Sequence, residues 1–262
     1  MAGSFLIQGV NLLTTPIFTR LMTTSDYGVM AVYTLWVAIF GAIIGLQING
    51  SLNNALIQYG PDALNKYMSS VMTLSVFSFV FFFALSLLFQ DFLGRILQLE
   101  PFLVPIMVVQ CFFAFTISFM NSKFVATKQL MKYFLLSAFN TFGIVALSMV
   151  FVIMRDTDKY LGRVYGNTIV NAVLGLCCLV IIMGKGRQFI NLQFWKFCLP
   201  MTLPLIVHTL SNLVLNQADR YMLTALIGDT TMGIYSFAYT LGSVIWVIWM
   251  AINNAWVPWF YE

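Results

Sequence analysis

The sequence predicts an all-α polytopic membrane protein with about eight transmembrane helices. Three observations carry that class. Of the 262 residues, 60% are hydrophobic and 8% are charged, and the mean hydropathy is +0.89, whereas soluble domains carry about a quarter charged residues. The apolar residues come in runs of membrane-crossing length, since roughly 20 helical residues span about 30 Å of hydrocarbon. Those runs are continuous and not alternating, which disfavours a β-barrel and favours helices that satisfy their own backbone in lipid.

In chain order the runs fall at 4–21, 29–49, 67–89, 101–120, 133–154, 161–183, 196–218 and 232–257. The first closes on Pro16-Ile-Phe-Thr-Arg20. A polar turn that ends in Ser25-Asp26-Tyr27-Gly28, with Gly28 supplying the tight turn, opens the second. Short polar connections separate the others, so no soluble domain fits between them. Pro101 suits the first turn of the fourth span, whereas Pro16, Pro105, Pro200 and Pro204 lie in or beside spans and are expected to bend them. Cys111, Cys177, Cys178 and Cys198 all sit in apolar runs without metal-ligand spacing and read as packing thiols. No cleavable signal peptide is evident, because a basic leader and a small-residue cleavage site are both missing.

Lysine and arginine in the short loops set the expected orientation. The loops after spans 2, 4 and 6 hold Lys66, Lys123, Lys128, Lys132, Lys185, Arg187 and Lys196 with Asp62 as their acid. The loops after spans 1, 3, 5 and 7 hold Arg20, Arg95, Arg155, Lys159, Arg163 and Arg220 among seven acids. This distribution places the N-terminus in the cytoplasm and Arg20 and Arg220 toward the outer face. The net charge of +4 fits a basic rim against anionic lipid and requires no nucleic acid.

A weak internal echo suggests two similar lobes. Gly28 and Gly233, Ala31 and Ser236, and Asn49 and Asn254 repeat at one offset, and Tyr33-Thr34-Leu35 recurs as Tyr239-Thr240-Leu241 one residue further on. A shift of six spans restores the same orientation, as in parallel-repeat transporters. The division expected is a six-helix lobe over 1–190 and the start of a second over 191–262.

No enzyme signature is present. Gly184-Lys185-Gly186-Arg187 lacks the spacing of a phosphate loop, and Asn49-Gly50-Ser51, a glycosylation acceptor by pattern, falls at the inner end of a span. Ionisable groups in or beside spans are the stronger lead, because a charge at mid-bilayer costs about 2.5–3.5 kcal/mol on insertion scales. They are Arg20, His208, Asp219 and Arg220. Arg20 suits an anion site or an interfacial anchor, and His208 suits a packing or a titrating role. Amides crowd the inner ends of spans 2 and 8, with Asn49 and Asn53 in the first group and Asn254 in the second. Such groups serve hydroxyl-rich ligands or helix-to-helix bonds equally well.

Pro16-x-x-x-Arg20, Ser25-Asp26-Tyr27-Gly28, Leu199-Pro200 with Pro204, Ala218-Asp219-Arg220 and Gly233-Ile-Tyr235-Ser236 together resemble the oligosaccharide (polysaccharide repeat-unit) flippases. These are members of the multidrug/oligosaccharidyl-lipid/polysaccharide exporter superfamily. The resemblance implies two six-helix lobes around a cavity in a bacterial inner membrane. It also implies flipping of polyprenyl-pyrophosphate-linked oligosaccharide from the inner to the outer leaflet. No catalytic residue, cofactor or metal is expected, and a polysaccharide polymerase is the expected partner beside the lipid-linked substrate and membrane lipid. Arginines in the first helix of related lipid-linked precursor flippases lend weight to Arg20. Family members continue past the eighth helix, so the chain is expected to be a fragment. The alternatives are a cation-coupled drug exporter of the same superfamily, which would want buried carboxylates, and a membrane glycosyltransferase or polymerase, which would want large loops.

Overall fold

The computed structural model describes residues 20–227, apart from the side chains of 216–218, 220, 221, 224 and 225. It also describes positions 14, 17, 18, 231, 232, 234–239, 242, 245 and 249. Pro16, most of the expected first span and much of the expected eighth lie outside the described residues.

Among the described residues, seven α-helices can be delimited: α1 (Thr24–Ile44), α2 (Leu52–Leu88), α3 (Gln90–Leu97), α4 (Leu103–Ala126), α5 (Leu130–Ile153), α6 (Lys159–Gly186) and α7 (Leu192–Ile227), with a 3-10 turn over Ile48–Ser51 before α2. Among the described residues, six helical segments are long and apolar enough to cross a bilayer. The all-α polytopic class therefore holds.

Three expected boundaries are corrected. Gly28 is not the turn before the second span but a buried residue inside α1. The helix starts at Thr24 because Thr23 and Asp26 form a reciprocal cap, in which Thr23 Oγ1 accepts from the Asp26 amide at 3.2 Å and Asp26 Oδ2 accepts from the Thr23 amide at 2.9 Å. Span 2 ends at Ile44 and not at residue 49. Span 3 begins at Pro61, just after Gly60 adopts φ 76° and ψ 173°, a region open essentially to glycine alone. Proline then serves as the first residue of the spanning part, where its missing N–H costs nothing. Pro105 likewise falls in the first turn of α4, and α7 stays helical through Pro200 and Pro204.

The helices alternate in direction, so charges sort to two ends. One end carries Lys123 and Lys185, with the Lys123 ammonium bonded to Asn65 Oδ1 at 2.6 Å. At the opposite end Asp26 Oδ1 accepts from the Tyr160 amide at 3.4 Å, and the Arg163 guanidinium lies 4.7 Å from the Phe18 ring centre and 6.0 Å from that of Tyr27. Between the two ends, the Gln110 carbonyl on α4 accepts from the Tyr33 hydroxyl of α1 at 2.8 Å and from the Thr168 hydroxyl of α6 at 3.0 Å.

Small residues bring α6 close to its neighbours. Gly162 and Gly166, one turn apart, lie against α5, where an added Cβ would come within 2.8 Å of the Phe151 backbone and 2.5–2.6 Å of Ser148. This is the small-xxx-small packing that suits helices in lipid, where no hydrophobic effect drives them together. Gly166→Leu should weaken the α5–α6 contact by about 1–3 kcal/mol through overpacking, lowering the thermal midpoint of the detergent-solubilised protein by several degrees. Gly184→Ala, where a Cβ meets nothing within 4 Å, should leave that midpoint unchanged or raise it. Equal midpoints for both variants would contradict the packing argument.

Candidate functional site

At the lysine-bearing end the chain leaves α1 abruptly. Gly45 presses its bare Cα against Phe115, where a Cβ would come within 2.2 Å of the ring. The next two residues, Leu46 and Gln47, both take left-handed backbone, at φ 51° and 48°. Such conformations cost on the order of 1–3 kcal/mol each and persist where the surroundings over-determine them. The restraint here is visible. Ser51 Oγ donates to the Ile48 carbonyl at 2.7 Å and lies 2.6 Å from the Tyr67 hydroxyl, while Ile48 itself is fully buried.

The turn delivers Asn49 to a pocket of about 440 Å³ between α4 and α5. Its polar lining comes from Asn49 and Asn53, from Ser118, Asn121 and Ser122 on α4, and from Tyr133 and Asn140 on α5. None of the lining side chains among the described residues carries a charge at neutral pH. Asn121 Nδ2 donates to Ser137 Oγ at 3.2 Å. The Oδ1 atoms of Asn49, Asn121 and Asn140, in contrast, are buried without a hydrogen-bond partner among the described residues. An unmet buried acceptor costs about 1–3 kcal/mol. Three of them around one neutral cavity suit an occupant that donates several hydrogen bonds and carries no charge: hydroxyl-rich matter, or the water that stands in for it.

The chain matches, over residues 1–262, the family described as polysaccharide biosynthesis protein. It belongs to that family. It is 23% identical over 285 residues to a Haemophilus influenzae protein of the Lsg locus, and 21% identical over 281 residues to another from the same organism described as an uncharacterized membrane protein. Each alignment takes in 100% of this chain but only 64% and 63% of the respective relative, so the chain spans just under two thirds of their length. No solved structure matches it.

Within this polysaccharide biosynthesis family member, the residues singled out from sequence separate into groups. Asn49 and Asn53 meet in the amide pocket. Arg20 is exposed at the opposite end, before the 21 residues of α1, a rise of about 30 Å. It therefore does not share the pocket with Asn49. His208 is exposed on α7, its carbonyl accepting from Asn212 Nδ2 at 3.1 Å and its ring 3.3 Å from the same amide. Asp219 Oδ2 accepts a short hydrogen bond from the Tyr235 hydroxyl. The Arg220 side chain and Asn254 lie outside the described residues.

Asn121 and Asn140 escaped the sequence reading, because Asn140 lies singly inside an apolar run and Asn121 just past the end of another, whereas Asn49 stands in a cluster of amides. Ser118 and Ser122 give no such signal, because short hydroxyls bond their own helix so often that their presence discriminates nothing, and Tyr133 is one of many aromatic residues in the apolar runs. Ser122, for example, donates to the Ser118 carbonyl at 3.0 Å.

A wet pocket can be told from a dry one chemically. In a background with the four native cysteines replaced, Asn140→Cys should react with a small charged methanethiosulfonate at least tenfold faster than Phe139→Cys, because only a hydrated thiol ionises readily. Phe139 is 69% exposed on the apolar flank of α5. Equal rates at the two positions would mean the amide pocket holds no water.

Proposed function

We propose that this chain forms part of a transporter that moves polyprenyl-pyrophosphate-linked oligosaccharide repeat units from the inner to the outer leaflet of a bacterial inner membrane. In this reading residues 1–190 form one six-helix lobe and 191–262 begin a second. The observation that carries the reading is the charge-free amide pocket with its three unmet acceptors, in a chain of the polysaccharide biosynthesis family.

A sugar hydroxyl donates what Asn49, Asn121 and Asn140 lack, and Tyr133 offers an aromatic ring for an apolar sugar face. Flipping requires this kind of binding. The sites must shed water one hydrogen bond at a time without holding the head group so tightly that release stalls. Neutral amides supply hydrogen bonds of about 0.5–1.5 kcal/mol net each, weaker than charge-assisted ones. With the N-terminus in the cytoplasm, the pocket opens near the inner leaflet, where the substrate would be loaded. Arg20 would then meet the pyrophosphate near the outer leaflet, where a planar guanidinium can pair two oxygens at once. No bond is made or broken in this task, so the proposal assigns no catalytic residue, cofactor or metal. A polymerase that consumes the delivered units is the partner it implies.

Expression of the full-length protein in a flippase-deficient strain provides the test. The wild type should restore surface polysaccharide without raising resistance to cationic dyes. The double variant Asn121→Leu and Asn140→Leu should lower export at least tenfold at normal membrane abundance, from the loss of about 1.4 kcal/mol or more of binding. Export at the wild-type level by that variant would sink the sugar-pocket reading, and dye resistance without export would favour the drug exporter. Arg20→Ala should also reduce export, with Arg20→Lys restoring it only in part. Full activity of Arg20→Ala would remove Arg20 from the site while leaving the amide pocket intact.

A further inference from the structure

A second cavity at the lysine-bearing end, of about 700 Å³, lies between α2, α4, α5 and α6 and has a different character. Three lysines line it: Lys123 from the last turn of α4, Lys132 from the first turn of α5 and Lys185 from the last turn of α6. No carboxylate is among its lining residues in the described part of the chain. Lys132 and Lys185 face the same cavity as Lys123. Lys123 is half-buried and spends one proton on Asn65 Oδ1 at 2.6 Å, and its ammonium has two more to give. Lys132 and Lys185 stand exposed at the mouth of the cavity, where Lys132 Nζ also donates to Gln129 Oε1 at 2.8 Å, so three cations converge on one opening in a way that suits an anion.

The wall of this cavity indicates what kind of anion. Leu135 and Ile181, which line it, are 46% and 44% exposed on the outer flanks of α5 and α6. A soluble anion has no use for an apolar wall, whereas a lipid has acyl chains to lay along it. All three lysines also sit at helix ends, the depth at which headgroups lie in a bilayer. On α4 the residues facing this cavity, Met120, Lys123, Phe124 and Thr127, point roughly 140° away from those facing the amide pocket, by the 100° step of a helix. The two cavities are therefore separate.

We propose that this pocket binds the headgroup phosphate of an anionic membrane phospholipid, with the acyl chains along α5 and α6. The lipid bridges the C-terminal ends of α4 and α6 to the start of α5.

Native mass spectrometry of the full-length protein in neutral detergent, with added phosphatidylglycerol or phosphatidylcholine of matched chains, tests this. Phosphatidylglycerol should be retained at least tenfold more than phosphatidylcholine. The variant Lys123→Gln with Lys185→Gln should lose at least four-fifths of that retention. Lys132→Gln, at an exposed position, should lose part of it and keeps the test decisive should the double variant fail to fold. Lys128→Gln, an exposed lysine outside the pocket, should bind as the wild type does. Equal retention of the two lipids would overturn the proposal, as would wild-type retention by either the double variant or Lys132→Gln. So would displacement of the lipid by millimolar inorganic phosphate, because the pocket would then be a site for soluble anions.

Discussion

A side-chain amide in hydrocarbon can bond only to protein or to something the protein admits, and the bundle is built on that constraint. Gln110 meets it internally. Its carbonyl takes one hydroxyl from Tyr33 and one from Thr168, so a single amide joins α1, α4 and α6. Tyr33 is fully buried and Gln110 is 4% exposed, so neither can turn to water instead. The asymmetry between a satisfied and an orphaned buried group, more than the modest gain from any one bond, makes such a node specify register. Asn49, Asn121 and Asn140 are the same chemistry left open at one end of the same bundle. Amides closed at the centre hold helices together, and amides open at the rim invite an occupant.

The strained turn after α1 belongs with that rim. Without the left-handed pair Leu46 and Gln47, α1 would continue and carry Asn49 to another face. The cost is offset by what holds the turn down. Ser51 bridges it to Tyr67 and reaches Cys198 on α7 at 3.5 Å, and Tyr59, Tyr67, Phe194 and Phe197 pack ring against ring at 5.0–6.1 Å. Trp195 adds a bond from its indole N–H to the Ser70 carbonyl at 2.9 Å. The first half of α7 is thus clamped to the same short stretch that positions Asn49. Movement of α7 would reach the turn through Ser51 and through Leu205, which packs against Gly50 beside Asn49.

Most of this architecture was legible because hydrocarbon reads sequence coarsely: twenty apolar residues in a row suffice, and α4, α5 and α6 fall within a few residues of the spans expected for them. What failed to show was local. Nothing in an apolar run announces that Leu46 and Gln47 will take positive φ, since those residues rarely do, and the apolar pattern alone extends the span to residue 49. Glycine usually marks a turn, yet at Gly28 the cap formed by Thr23 and Asp26 outweighs that preference and the residue merely lies buried in the helix. The pocket was half visible. Amides clustered in sequence around Asn49 could be seen, whereas Asn121 and Asn140 join them only through the packing of α4 against α5, and sequence spacing does not encode that pairing. Gly162 and Gly166 were equally silent until Ser148 and Phe151 appeared against them.

The separation of charge from neutrality along the bundle bears on how one ligand could be handled. The amide pocket is uncharged, and cations stand apart from it, at Arg20 about 30 Å away along α1 and at Lys123 on the far side of α4. A ligand with a neutral polyhydroxyl head and an anionic link to a lipid cannot be gripped by the amides and Arg20 at one moment, because that distance equals the hydrocarbon thickness itself. On the proposed reading the two sites act in succession, with the amides engaging the head group at one face and Arg20 the anionic link at the other. That arrangement gives each site weak affinity and leaves no single deep well in which the ligand could be trapped. A strong cation placed in the amide pocket would bind the link more tightly and for that reason move it more slowly.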